Sequence, residues 1–458
     1  MPASTASAVE AHGTRATAPA LTSSEVSFRG GGGVELHGSV VRPAGAPAQR
    51  DAGVRNGARP GLVVIQGSGK GAREDYRKEA EAYASRGVVT LIYDKRSVGY
   101  SLLERDFSLL ADDALAAVRK LRRIPGVDPR RVGVLGISEG AWVAPLAAGR
   151  SADVAFVATV GAGTAPARQQ AWSYGNQLRH RGVTGSLLKT VQVRAVGLMV
   201  AAGLFPEAEH DPTPPLTRIR QPVLAMWGRY DRVSPPGEGA GLFRAALKHG
   251  AVSSYTIRVF DDGEHGLRRA RDDGFDHDDA FVPGYIDFAA GWISGVPDEL
   301  PANSADPLPE QARMSAPLAP LEFYESSWSQ LVVIVVLLGA YGGCLVTRGT
   351  SEFGGERWPA AAGILTVLGA FGYLGYLVVT AAESPGPVVV GRPLPWLVLQ
   401  LLAVVVVCAA VRSAYVRWRM RRKSTDGCRS AGRIRPALLL AGTALFVPWA
   451  VYWGLLIP

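Results

Sequence analysis

The sequence predicts an α/β domain followed by a bundle of about four membrane-spanning α-helices. Three observations carry that prediction. Short apolar runs alternate with amphipathic, helix-length stretches over roughly the first 300 residues. One of those runs ends in a serine flanked by glycines, immediately before a helix-like stretch. Four long apolar stretches then crowd into the last 130 or so residues.

Residues 1–22, rich in Ala, Ser and Thr, read as a disordered N-terminal segment. Ser24 to Phe28 and Val34 to Arg42, joined by Gly30 to Gly33, read as an antiparallel hairpin, and Ala44 to Arg59 as a polar loop. Strand Leu62 to Ile65, helix Glu74 to Arg86, strand Val88 to Tyr93 and helix Leu109 to Arg123 follow. Then come strand Val132 to Ile137, helix Trp142 to Ala148 and strand Val154 to Val160. Such alternation implies a mostly parallel sheet with helices on both faces.

The pattern breaks over about 162–220, where Gln169 to Arg181 and Ser186 to Phe205 have helical spacing without strand signals. This reads as a helical cap inserted over a pocket, its apolar side chains lining the cleft or packing the cap. Strands Pro222 to Gly228 and Tyr255 to Phe260 and a closing helix, Tyr285 to Ile293, complete a domain spanning 23–296. Six prolines between 297 and 320 mark a linker that extends to 327.

The region 328–458 carries spans at about 331–347, 358–380, 394–411 and 436–458. Each is free of charged side chains and long enough to cross a hydrocarbon core as a helix. Gly363, Gly369, Gly372, Gly375 and Pro448 are tolerated in that setting. Trp328, Trp358, Trp396, Tyr415, Trp418, Trp449 and Tyr452 fall at the edges, as interfacial belts do. With no His, Asp or Glu inside a span, an intramembrane ion pathway is not expected, and anchoring or a lipid or partner contact is.

Of the net charge of +9, the part beyond residue 320 supplies +6. Arg412, Arg417, Arg419, Arg421, Arg422, Lys423, Arg429, Arg433 and Arg435 face only Asp426. The first domain is nearly balanced, which excludes a basic nucleic-acid binder; the cluster reads as a positive-inside signal and a contact for anionic membrane lipids. With four crossings that signal leaves both termini and the first domain outside. Residues 1–30 show no apolar export segment, which argues the other way. The expectation leans to a multi-pass protein of a bacterial cell membrane with its first domain extracytoplasmic, the cytoplasmic side being the alternative. Cys344, Cys408 and Cys428 all lie outside the first domain, so no disulfide is expected there.

The chemistry concentrates in Gly136-Ile137-Ser138-Glu139-Gly140, a G-x-S-x-G pattern between an apolar strand and a helix. A serine hydroxyl needs a base to remove its proton, and the base needs a carboxylate to orient it. Asp231 follows the strand ending Trp227-Gly228, and His265 follows the strand ending at Phe260, in the order Ser, Asp, His. All three stand just past the C-terminal ends of predicted strands, the edge where open α/β sheets gather reacting groups. His277 lies in the acidic run 272–279, which reads as a solvated loop or helix start without regular ligand spacing for a cation. Gly67 to Gly71 lacks the G-x-x-x-x-G-K-[ST] pattern, so nucleotide binding is not expected.

With Gln66-Gly67-Ser68-Gly69 after its strand and Tyr93 to Ser101 after the next, the chain resembles an α/β-hydrolase of the bacterial esterase and serine-aminopeptidase-like group over about residues 25–295. The resemblance implies Ser138 as nucleophile, His265 as general base then acid, and Asp231 as its orienter. It implies an oxyanion hole from the backbone N–H of Glu139 and of Ser68 or Gly69. Gln66 stands where the family often has histidine and Ser97 where it often has glycine. Asp94 is expected to hold its loop by hydrogen bonds, Lys95 and Arg96 to form structural ion pairs, and the Glu139 side chain to sit at a helix start. The expected function is a membrane-anchored serine hydrolase acting on a small-molecule or lipid-like ester, with no cofactor and no metal. A peptidase or thioesterase with the same triad is the nearest alternative, and a non-catalytic ligand sensor on this fold is the rival of another class.

Overall fold

The computed structural model describes residues 20–45, 57–296, 299, 302–347, 356–423 and 434–457. Most of the N-terminal stretch, most of the 44–59 loop and the basic loop after Lys423 lie outside the described residues. The first hairpin is β1 (Leu21–Arg29) and β2 (Glu35–Pro43), paired antiparallel. Leu21 and Thr22 therefore belong to the sheet rather than to a disordered segment. Then come β3 (Arg59–Ile65), α1 (Arg77–Ala84), β4 (Val89–Tyr93), α2 (Phe107–Leu121), β5 (Val127–Ile137), α3 (Gly140–Arg150) and β6 (Val157–Val160). The cap comprises α4 (Pro166–His180), α5 (Ser186–Lys189), a π-helical stretch Thr190–Ala195, α6 (Val196–Ala201) and α7 (Thr213–Arg218). The body resumes with β7 (Val223–Gly228), α8 (Pro236–His249), β8 (Tyr255–Phe260), β9 (Arg268–Arg271), β10 (Asp276–Phe281), α9 (Tyr285–Gly295) and β11 (Ser304–Ala305).

Nine strands form one sheet in the order β1-β2-β4-β3-β5-β6-β7-β8-β11, and every pairing from β4 to β11 is parallel. The strands β3, β4, β6 and β7 are buried at every position, which is why they read as continuous apolar runs rather than alternating ones. One face packs on α2, α3 and α8, the other on α1 and α9. Asp106 caps α2 by accepting from Leu109 N–H at 3.1 Å.

Two body elements depart from the sequence reading. The acidic run 272–279 opens with a 3₁₀ turn, Asp272–Gly274, but from Asp276 onward it forms most of β10, which pairs antiparallel with β9. Arg271–Asp278 and Lys78–Asp279 ion pairs give its charged faces partners. The segment 297–327 is a strap rather than a free linker where it is described. Its β11 extends the sheet beside β8, and Asp306 Oδ2 accepts from Val259 N–H at 2.9 Å. Glu238 of α8 accepts from Ser315 N–H at 2.7 Å, from Gln311 Nε2 at 2.6 Å and from Arg168 of α4 at 2.5 Å.

The C-terminal region holds α10 (Ser327–Val346), α11 (Arg357–Val379), a small hairpin of β12 (Val388–Val389) and β13 (Arg392–Pro393), α12 (Leu394–Lys423) and α13 (Ile434–Tyr452). All four helices contain a stretch long and apolar enough to cross a membrane. Gly363 and Gly442 make room for the Tyr341 ring: a Cβ on Gly363 would lie 2.5 Å from it. Gln330 accepts from Trp453 Nε1 at 3.0 Å, while Gln400 donates to Gly454 O at 3.1 Å, so buried polar groups close the bundle at one end.

The cap does not stand apart from that bundle. Leu178, Val183, Leu187, Val191 and Val196 share one apolar core with Leu377, Trp396, Trp449 and Trp453. Hydrogen bonds seal the junction: Tyr174 OH to Val378 O (3.3 Å), Thr184 N to Gly391 O (2.7 Å), Ser186 Oγ to Gly454 O (2.8 Å) and Thr190 Oγ1 to Trp453 O (2.8 Å). Every one falls at the same end of the bundle, where α11 and α13 finish and α12 begins.

Candidate active site

Ser138 sits on the turn between β5 and α3 with φ of 55°, the left-handed region that costs a non-glycine residue about 1–3 kcal/mol. Its neighbours are glycine for steric reasons. A Cβ on Gly136 would lie 2.1 Å from Gly140 O, and one on Gly140 would lie 2.2 Å from Ile65 O. The tight turn therefore lifts the hydroxyl off the sheet edge while the backbone of β3 and α3 closes beneath it.

Asp231 follows β7 and is wholly buried. Its Oδ1 accepts from Val233 N–H (2.9 Å) and Ser234 N–H (2.7 Å), and its Oδ2 lies 2.8 Å from His265 Nδ1. His265 is held from below by Glu264, whose carboxylate accepts from Gly266 and Arg268 N–H. Both sides of the site converge on the end of β6. Ser138 N–H donates to Val160 O at 2.9 Å, and the next residue, Gly161, lies so close under the His265 ring that a Cβ would meet it at 2.8 Å. The other ring nitrogen, His265 Nε2, is buried without a hydrogen-bond partner among the described residues. An unmet buried polar atom costs about 1–3 kcal/mol, and here it is the atom a serine hydroxyl or an attacking water would engage.

Burial presses the His265 imidazolium down, but the charge and hydrogen bond of Asp231, with Glu264 adding, outweigh it and hold the group above its ordinary value of 6.5. His277, from the acidic run, lies exposed on β10 with Nδ1 against Asp278 O. Among the described residues no cluster of three or more His, Cys, Asp or Glu could hold a metal ion.

The loop after β3 supplies the other half of the site. Gly67 packs against Ser138, its Cβ position lying 3.4 Å from Ser138 Cβ. Gly67 N–H donates to Tyr76 OH (2.7 Å) and Gly69 N–H to Tyr100 OH (3.1 Å). Ser68 N–H and Glu139 N–H have no partner among the described residues, so of the two loop donors expected from the sequence Ser68 is the free one. Gln66 occupies the family's histidine position by donating to Tyr93 O at 2.5 Å, tying the ends of β3 and β4. Asp94 holds the same loop by accepting from Arg73 N–H at 2.9 Å. Arg96 pairs with buried Asp113 at 2.7 Å.

Sequence reasoning left one group of residues unassembled. The Glu139 side chain, next in the chain to Ser138, is fully buried, paired with Lys95 (2.9 Å) and Arg105 (3.0 Å) and accepting from Tyr100 OH (2.7 Å). A signal existed: a charged residue inside an otherwise apolar elbow requires buried cations. Burial lowers the Lys95 ammonium below its ordinary value, with Glu139 opposing. Burial also pushes the Tyr76 phenol up to about 12.

The model of the prolyl oligopeptidase family matches residues 75–287, which include Ser138, Asp231 and His265. That match and the strand order agree. The N-terminal domain has the α/β-hydrolase fold. The polyketide transferase ClaH of Penicillium crustosum is 34% identical over 142 residues, 30% of this chain, and the chain spans 43% of that relative's length. Among solved structures, the hydrolase domain is similar to the dienelactone hydrolase of Anabaena variabilis (19% identity, TM-score 0.37, covering 61% of this chain and 98% of that one). It is also similar to the acylaminoacyl peptidase of Pyrococcus horikoshii (20% identity, TM-score 0.38, 54% and 38%).

Proposed function

We propose that this α/β-hydrolase is a membrane-anchored serine enzyme that cleaves carboxylic esters through an acyl-enzyme intermediate. Ser138 Oγ attacks the carbonyl carbon as His265 Nε2 takes its proton, and Asp231 steadies the imidazolium. The N–H groups of Glu139 and Ser68 meet the tetrahedral oxyanion. His265 returns the proton to the departing alkoxide, and the alcohol leaves. Water, deprotonated by the same nitrogen, then attacks the acyl-serine and releases the acid.

One observation carries the reading: the Asp231-bound imidazole keeps a buried, unpartnered Nε2 beside the strained serine turn. The shared core of cap and bundle supports a lipid-like acyl group, because the cap meets the ends of the apolar helices directly. In the test, the full chain in proteoliposomes is assayed on p-nitrophenyl esters of rising chain length and labelled with a fluorophosphonate. The wild type should turn over and label, and Ser138→Ala should do neither while melting at the same temperature. Equal labelling of Ser138→Ala would remove the assignment.

The match to the prolyl oligopeptidase family model favours a second reading, in which the scissile bond is an amide. Aminoacyl p-nitroanilides run beside the esters separate the two, and faster amide turnover replaces the ester reading. The arginine-rich ends of α12 and α13 lie opposite the cap: Arg435 binds Thr347 O at the far end of α10. By the positive-inside rule that end faces the cytoplasm, so the hydrolase faces the other side.

A further inference from the structure

We infer that Lys95 is a positioning residue that aims and polarises the Gly67–Ser68 peptide as an oxyanion donor, anchored by the side chain of the residue that supplies the second donor. This rests on Ser138 being the nucleophile. The Lys95 ammonium donates to Gly67 O. That carbonyl belongs to the same planar peptide unit as the Ser68 N–H, so fixing one end fixes the other. A cation on the carbonyl oxygen also draws electron density from the amide and strengthens its N–H as a donor, in surroundings that screen charge poorly.

The rest of the network holds the lysine in place. Glu139 Oε1 accepts from Lys95 at 2.9 Å and from Tyr100 OH at 2.7 Å, and Tyr100 OH in turn accepts from Gly69 N–H at 3.1 Å. Tyr76 OH accepts from Gly67 N–H on the other flank. Both neighbours of Ser68 are thus pinned, and Ser68 N–H alone is left pointing free among the three. Glu139 is bound also by Arg105 at 3.0 Å, so two cations face one carboxylate. The cluster carries one net positive charge behind the place where a negative charge develops. The carboxylate side chain and the backbone N–H of Glu139 therefore serve the same event from opposite ends of one residue.

Removing Lys95 alone would strand part of a buried charge and risk the fold, so the comparison is between Glu139→Gln, which keeps Lys95 and its hydrogen bond to Gly67 O, and the double variant Lys95→Met/Glu139→Gln, which lacks both. Both are prepared as the full chain in proteoliposomes, alongside wild type, and assayed on a p-nitrophenyl ester and with a trifluoromethyl ketone that forms a tetrahedral adduct on the serine. The double variant should lose roughly 10- to 100-fold in kcat relative to Glu139→Gln, a fraction of what a whole oxyanion donor contributes. KM and melting temperature should match, and adduct affinity should fall by the same factor as kcat/KM. Equal kcat and adduct affinity in the two variants, or a loss confined to KM, overturns the role of Lys95 while leaving the nucleophile assignment intact. A wild type that neither hydrolyses esters nor labels overturns that assignment and the inference with it.

Discussion

His265 titrates under opposing influences, and which one wins fixes the acid side of the rate profile. Burial favours the neutral ring; Asp231, with Glu264, favours the charged one and prevails, so the group lies above 6.5. In the proposed mechanism only the neutral ring takes the Ser138 proton. Hence kcat/KM should fall as pH drops through a value above 6.5, and stay level above it until another group titrates. Asp231→Asn removes the larger raising influence and leaves burial opposed only by Glu264. The acid limb should shift to lower pH, while kcat falls by on the order of 10³ to 10⁴ because the imidazole loses its orientation and tautomer. A pH–rate profile of both proteins on a non-ionising ester checks this, and an unmoved limb contradicts it. The candidate residues Ser138, Asp231 and His265 stand out in the sequence because each ends or follows an apolar run. Tyr76, Tyr100 and Arg105 were not, since they come from polar stretches whose side chains only turn inward once β3, β4 and α3 are assembled.

At the scale of elements, the cap helices were readable by periodicity, but their partner was not. An apolar stripe says that a face is buried and not against what. Leu178, Leu187 and Val191 turn to the C-terminal apolar helices, whereas the sequence suggested cleft or cap packing. The helix α8 went unread because Pro235, Pro236 and the glycines of its first turns mimic a loop. Gly239 is small because a Cβ would lie 2.4 Å from Ala162 O. The β9–β10 hairpin is charged on exposed faces and so lacks strand alternation. The cap junction makes its own prediction. Thr190→Val strands the buried Trp453 carbonyl and should cost about 1–3 kcal/mol. Combined with Ser186→Ala, it should lower the melting temperature in detergent, along with the temperature at which hydrolytic activity is lost. An unchanged melting temperature in the double variant would show that the cap is not held by these bonds.

Across the whole molecule, charge and contact agree on a polarity. Arg412, Arg417, Arg419 and Arg435 gather at one end of the bundle, and the hydrolase docks at the other. The four long apolar helices were legible because length and apolarity show in each helix separately. The junction was not legible, because it depends on which ends meet. If the arginine-rich end is cytoplasmic, protease added to intact cells should digest the hydrolase domain, and a cytoplasmic marker should survive. Protection of the hydrolase until the cells are permeabilised would reverse the orientation.

The hydroxyls of Ser186 and Thr190 close on carbonyls supplied just past α13, more than 260 residues later in the chain. On the ribosome, the N-terminal half is therefore finished long before its cap receives its last partners. A chain interrupted before its fourth apolar helix would carry Ser138 beneath an unfastened roof, so on the proposed reading hydrolytic competence should depend on a completed bundle rather than on the N-terminal half alone.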